Sequence, residues 1–310
     1  MGLATREAYG KALLQLGAVN NNIVVLDADL SKSTKTNDFA KLYSDRFINV
    51  GIAEQNLMGI AAGLASYGKI AFASTFAVFA TGRAFEIIRN SICYPNLNVK
   101  VAATHAGISV GEDGGSHQSV EDIALMNALP NMSVIVPADA FETEKVIKYA
   151  AEHDGPVYIR LGRLAAIDIF DESYTYEYGK GIQLMAGNDV SIIATGLMSA
   201  QAKAAAFDLK ADGINARVIH IPTIKPIDRD IIEKAAKETK FIVTCEEHSV
   251  IGGLGSVVAS VAGETHPAKV VKIGIDDMFG ESATPAELLN KHGMTAENVI
   301  KVVKNELGVL

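Results

Sequence analysis

The chain has 310 residues, 49 % of them hydrophobic and 21 % charged, which suits a folded protein of about two domains and argues against disorder. Its formal net charge is −8, from 28 Lys and Arg against 36 Asp and Glu, and the absence of a basic block argues against a nucleic-acid surface. The longest apolar runs, Ala71–Ala80 and Val257–Ala262, are short and broken by Gly, Ser or Thr, and Cys93 and Cys245 show no paired spacing. The expectation is a soluble, cytoplasmic protein with no membrane span and two core thiols.

Thr5 reads as the N-cap of an amphipathic helix that runs to about Leu16 and ends at Gly17. NIVVLDADL reads as a buried strand, with the polar SKSTKTND as a loop at its carboxyl end. Further strands are expected at about 47–50, 70–73, 98–103, 133–136 and 157–161. Helical patterns lie between them at Phe39–Tyr43, Glu54–Tyr67, Phe79–Ile92, Ser119–Asn127 and Ala140–Glu152. That alternation builds a mainly parallel sheet covered on both faces. After Arg163 the stretch FDESYTYEYGKGIQLMAGN loses its period and reads as a connector. Strands then return at DVSIIATG, ARVIHIP, KFIVTCEEH and KVVKIGI, with helices at Ser199–Lys210, Asp228–Glu238, Gly255–Val261, Thr284–Lys291 and Thr295–Glu306. The expected fold class is α/β, as two consecutive α/β domains over residues 1–168 and 188–310 joined by a linker at 169–187.

Ligands of open parallel sheets sit outside the carboxyl ends of the strands, which directs attention to Asp27–Asp38, Gly51–Asn56, Ser74–Phe79, Thr104–Gln118, Gly162–Arg163 and Glu246–Gly255. In NVGIAEQNLMGIAAGLASYG, residues 49–68, small residues at Gly59, Ala62 and Gly63 allow close approach of another backbone, and Glu54 falls in the first turn. Two effects compete there. A helix N-terminus stabilises the anion by up to about 2 kcal/mol, whereas complete burial raises a carboxyl pKa by roughly 3–5 units. The loop THAGISVGEDGGSHQSVED, residues 104–122, gathers His105, Glu112, Asp113 and His117 around four glycines, a composition that lets backbone amides and side chains converge on a bound molecule. Zinc is a poor fit because no cysteine is near. GGLGS is the only dinucleotide-like glycine run, and it lacks the full fingerprint.

GIAEQN, STFAVF, THAGISVGEDGGSHQ and IRLGR, in this order and spacing, resemble the pyrimidine-binding half of transketolase, a thiamine-diphosphate enzyme. EEHSVIGGLG resembles the opening of that family's C-terminal domain, so the resemblance covers essentially the whole chain. No Gly-Asp-Gly occurs here, although that motif marks the family's diphosphate- and metal-binding domain. The chain is therefore similar to the C-terminal subunit of a split transketolase. The resemblance implies an N-terminal partner subunit that brings the diphosphate and Mg²⁺ or Ca²⁺ site, a heterotetramer of two copies of each chain, and sugar phosphates as substrates.

Position by position, Glu54 matches the family glutamate that hydrogen-bonds the pyrimidine ring of thiamine diphosphate and favours its imino tautomer. Phe76 and Phe79 match the aromatic wall around that ring, their spacing placing both on one face of a helical turn, and Asp29 is a further cofactor contact. A third aromatic of the family is Gly82 here, with Arg83 as its neighbour. His105, Asp113 and His117 match residues that bind sugar hydroxyls and assist proton transfer, for which histidine's near-neutral pKa is suited. Arg6, Ser33 and Arg163 match contacts to the sugar phosphate, where a guanidinium offers a bidentate fork. Arg160 is off the pattern, and Glu247 and His248 read as interface or structural residues. The implied reaction transfers a two-carbon ketol unit from a ketose phosphate to an aldose phosphate. The alternatives are a 2-oxo-acid dehydrogenase beta subunit, a deoxyxylulose-phosphate synthase-like enzyme, and a non-catalytic half-enzyme kept for assembly or regulation.

Overall fold

The computed structural model describes residues 2–309, so the domain ends expected at Met1 and Leu310 lie outside the described residues. The strands in chain order are β1 (Ile23–Asp27), β2 (Phe47–Asn49), β3 (Ile70–Phe76), β4 (Val99–Thr104), β5 (Ser133–Ile135), β6 (Val157–Arg160), β7 (Ile182–Met185), β8 (Val190–Ala194), β9 (Ala216–His220), β10 (Thr223–Lys225), β11 (Ile242–Ser249) and β12 (Val270–Ile275). They form a seven-stranded sheet of order β10-β5-β6-β4-β3-β1-β2 and a five-stranded sheet of order β12-β11-β8-β9-β7. All neighbours are parallel except the edge strands β10 on β5 and β7 on β9. The expected pair of mainly parallel α/β units is the observed architecture.

The helices are α1 (Thr5–Val19), α2 (Ser31–Thr34), α3 (Asn37–Leu42), α4 (Glu54–Ser66), α5 (Phe85–Ile87), α6 (Asp122–Asn127), α7 (Ala140–Glu152), α8 (Met198–Ala211), α9 (Arg229–Glu238), α10 (Leu254–Thr265), α11 (Pro285–Lys291) and α12 (Ala296–Leu307). Buried central strands such as IVVLD and VSIIA are nearly continuous apolar runs because helices cover both faces. Lys100 in β4 is a buried cation among them. Its ammonium donates to the carbonyls of His153 and Gly155 at 2.7 Å each, and burial lowers its pKa to about 7.

Several local expectations are corrected. Thr5 is the first helical residue rather than a cap, because its Oγ1 accepts from the Gly162 N–H at 2.8 Å. Gly17 lies inside α1, where a Cβ would meet the rings of Phe39 and Tyr43 at 2.7 Å, so it serves close packing and not termination. The helix expected from Ser119 begins at Asp122, since the Ser119 carbonyl accepts from the Gly107 N–H at 2.8 Å and holds that segment extended. The helical stretch from Phe79 to Cys93 is π-wound at both ends, around α5. Within the stretch read as a connector, Ile182–Met185 is the edge strand β7.

The short strand β10 has the largest consequence. It follows β9 of the second sheet yet pairs with β5 of the first, Thr223 opposite Ile135, so the two units share structure. One hydrophobic cluster likewise joins Met126, Leu129 and Val134 to Ile219, Ile221, Ile232 and Leu254.

Candidate active site

The carboxyl ends of β1, β3, β4 and β6 bring their polar residues to one side of the first sheet. Thr5 ties the start of α1 to Gly162, just beyond β6, and this sets Arg6 close to Arg163. Arg6 Nη1 donates to the Ser33 carbonyl at 3.0 Å and lies 3.3 Å from His105 Nε2. An arginine only donates, so Nε2 is the acceptor and Nδ1 carries the proton, which goes to Thr104 Oγ1 at 2.8 Å. Burial, followed by the charges of Arg6 and Arg163, lowers the His105 pKa to about 3, so the ring is neutral. Its backbone is left-handed, with φ of 57°. Arg6 Nε is buried with no protein acceptor, a donor left for an anion.

Asp27 was not a candidate from the sequence, yet it shapes this corner. Its buried carboxylate accepts from the Leu30 N–H at 2.6 Å, Thr34 Oγ1 at 2.6 Å and Thr36 Oγ1 at 2.9 Å, which pins the loop carrying Asp29 and Ser33. The available signal was an Asp at a strand end followed by Thr at +7 and +9. Lys35, likewise missed, pairs with Glu7 at 3.4 Å and adds its charge to the field on His105. Asp29 has a φ of 64° and accepts from Asn49 Nδ2 at 3.1 Å.

Phe76 ends β3 and Phe79 begins the π-wound helix, so they do not share a helical turn. The bend between the two elements nevertheless stacks the rings, with centroids 5.9 Å apart and planes 12° from parallel. His105 also stacks on Phe76, at 3.8 Å, and His117 meets Phe79 edge-on at 5.4 Å. Arg83 lies over Phe79 at 5.1 Å, and its Nη1 donates to Glu54 Oε2 at 2.8 Å. Glu54 is the first residue of α4 and is 2 % exposed, whereas the Arg83 side chain is 52 % exposed. A continuous chain of contacts therefore runs from Glu54 through Arg83, Phe79, Phe76 and His105 to Arg6. Where the family's third aromatic would stand, Gly82 faces open space.

Asp113 is exposed and His117 half-buried, with Ser116 Oγ 3.0 Å from His117 Nδ1. Arg163 Nη1 donates to the Val110 carbonyl and to Glu112 Oε2 at 3.2 Å. Arg160 points elsewhere, into a buried ion pair with Asp122 at 2.7 Å. Glu247 and His248 lie between the two units, accepting from the backbone N–H of Ser109 and of Ala124. The GGLGS turn is not an anion site, because Glu246 already occupies the amides of Leu254 and Gly255 at 2.6 and 2.8 Å. Among the described residues, no three His, Cys, Asp or Glu side chains converge as metal ligands, and no helix is long and apolar enough to cross a membrane.

Family models match the chain as the transketolase pyrimidine-binding domain over residues 1–167 and as the transketolase C-terminal domain over residues 179–299. The chain belongs to the transketolase family. It is 52 % identical to a Methanocaldococcus jannaschii chain named, provisionally, a transketolase C-terminal section, over 97 % of this chain and 96 % of that one. It is 40 % identical to a 6-deoxy-6-sulfo-D-fructose transketolase subunit of a Clostridium strain, covering 96 % of this chain and 92 % of the relative. A solved split-gene transketolase, described as an inactive β4 tetramer, shares 58 % identity and superposes with a TM-score of 0.91, over 100 % of this chain and 99 % of that one. This transketolase-family chain is thus similar along its whole length to proteins that are themselves parts of a divided enzyme.

Proposed function

We propose that the chain is the C-terminal subunit of a split transketolase and that, with an N-terminal partner, it transfers a two-carbon ketol unit from a ketose phosphate to an aldose phosphate. The observation that carries this reading is a buried carboxylate, Glu54, joined through one aromatic wall to a pocket of two guanidiniums and a neutral histidine. The donor set fits the pyrimidine end of thiamine diphosphate. Bound there, the cofactor supplies a nucleophilic carbon and an electron sink for the two-carbon unit. Glu54 would hold the ring nitrogen through a shared proton, Phe76 and Phe79 would pack the ring, and Asp29 would add a contact from the β1 loop. Arg6, with its unpartnered Nε, Arg163 and Ser33 hold the terminal anion of the sugar. A sulfonate suits the same forks as a phosphate, as the sulfofructose relative suggests. His105, its Nδ1–H directed at Thr104, offers Nε2 as a hydrogen-bond acceptor to a sugar hydroxyl once Arg6 turns to the anion, while His117 and Asp113 hold the other hydroxyls.

The partner brings the diphosphate and its Mg²⁺ or Ca²⁺. Ile52 and Tyr67, which flank α4 at 79 % and 90 % exposure, together with open space at Gly59 and Gly63 on the helix, suit packing against another subunit, and two copies of each chain are the assembly we favour. The guanidinium pair argues against a 2-oxo-acid donor, which has no terminal phosphate. The test is assembly with a chain carrying the diphosphate domain, followed by assay with xylulose 5-phosphate against pyruvate as donor. The sugar phosphate is used, this chain alone is inactive with added cofactor and magnesium, and Glu54→Gln lowers turnover on the order of 10²- to 10⁴-fold. Activity of this chain alone, or unchanged turnover in the variant, refutes the reading.

A further inference from the structure

The loop that carries both candidate histidines is gripped at two points by the second α/β unit. Near His105, the Glu247 carboxylate of β11 accepts from the Ser109 N–H at 2.6 Å and rests against Gly107, whose φ of 81° and missing side chain make room for it. A Cβ at Gly107 would fall on that carboxyl. Arg160 Nη2 holds the Glu247 carbonyl at 2.8 Å, which keeps the strand end in place. Near His117, the Gln118 side-chain amide donates inward to the Gly111 carbonyl at 3.1 Å and outward to the Glu281 carbonyl at 2.9 Å. Gln118 is 3 % exposed and Glu247 is 3 % exposed, so neither grip is open to replacement by bulk water. Gly280, beside Glu281, approaches Gln118 so closely that any side chain there would collide with it.

We propose that Glu247 and Gln118 are positioning residues: through them the C-terminal unit sets where His105 and His117 stand relative to the sugar. The inference rests on the reading of the site given above. The Glu247 contact at Gly107 lies two residues from His105, and Gln118 is the residue that follows His117. Displacements of about 1 Å in such groups change turnover by up to about a hundredfold.

The test uses the full chain assembled with its diphosphate-domain partner, and the full chain alone for amide hydrogen exchange. Glu247→Ala removes the acceptor, whereas Glu247→Gln keeps a carbonyl for the Ser109 N–H. Exchange at residues 107–110 rises at least about tenfold in the alanine variant and stays near wild type in the glutamine variant. In the assembled enzyme kcat falls on the order of ten- to a hundredfold for Glu247→Ala, with KM for the acceptor changed less, and the glutamine variant recovers most of it. Gly280→Ala, which displaces Gln118 without touching β11, lowers kcat in the same way should Glu247→Ala fail to fold. Unchanged exchange in Glu247→Ala, equal losses in both Glu247 variants, or unaltered kcat in the folded Gly280→Ala overturns the proposal. If the wild-type assembly transfers no ketol unit, the reading of the site falls, while the exchange measurement still decides the grip.

Discussion

His105 is a histidine whose neighbours keep it neutral, and that has a cost to the fold in acid. An unfolded histidine titrates near 6.5, while burial and the two guanidiniums bring this one to about 3. Between those values the unfolded chain takes up a proton that the folded chain refuses, so stability falls as pH drops below about 6.5 and is untouched above it. At pH 5 the loss is about 2 kcal/mol, at roughly 1.4 kcal/mol per pH unit. His105→Asn tests this, since Asn tolerates the left-handed backbone that the site requires. Denaturant unfolding at about pH 7.5 and about pH 5 shows a loss smaller by about 2 kcal/mol in the variant; equal losses in both proteins would sink the assignment. At Glu54 the sequence posed a contest between a helix N-terminus and burial. The structure introduces a third party, Arg83, whose half-exposed guanidinium pairs with the buried carboxylate. A cofactor ring that engages Glu54 must share that carboxylate with Arg83 or displace it.

At the scale of elements, α6 shows how a buried charge secures a junction. Asp122 opens the helix, and its carboxylate accepts from Arg160 Nε at 2.7 Å and Tyr158 Oη at 2.6 Å. Burial pushes its pKa up, but the Arg160 charge and these hydrogen bonds outweigh it, so the net direction is down and the group is ionised. Asp122→Ala leaves the Arg160 guanidinium buried without its carboxylate and costs about 3–5 kcal/mol in urea unfolding; a loss below about 1 kcal/mol would refute the pair's role. Helices with local start signals were legible in the sequence. Thr284 forms a capping box with Glu287, Thr295 accepts from the Asn298 N–H, and Asp139 and Asp228 cap α7 and α9. Thr5 misled because its hydroxyl is taken by a residue 157 positions away, and β10 escaped notice because three residues carry no period.

For the molecule as a whole, the two units are not independent bodies. β10 leaves the second sheet to edge the first, Val136 N–H donates to the Pro222 carbonyl at 2.7 Å, and Lys225 Nζ donates to the carbonyls of Asn127 and Leu129 at 2.8 and 2.6 Å. Buried Glu142 of α7 reaches His220 of β9 at 2.8 Å. Such a seam carries cooperativity, so thermal unfolding is expected as one calorimetric transition with van't Hoff and calorimetric enthalpies in agreement. Two resolved transitions would show that the shared edge and the common core contribute little coupling.

Alternating hydrophobic runs and helix patterns were enough to determine the α/β class, because those periods reflect local burial. The resemblance carried by the motifs named the candidate site residues, from Arg6 and Glu54 to His105 and Arg163, because short motifs survive in a linear sequence wherever the chain folds. Only the tertiary structure decided what those residues face. The protonated nitrogen of His105 follows from Arg6, some 99 positions away, and the side-chain partner of Glu54 is Arg83, some 29 away. The backbone beside each candidate histidine is held by Glu247 or by Gln118 reaching to Glu281, across 138 and 163 positions of sequence. Hydrogen-bond partners and the field around a charge depend on distance in space, and no local pattern encodes them.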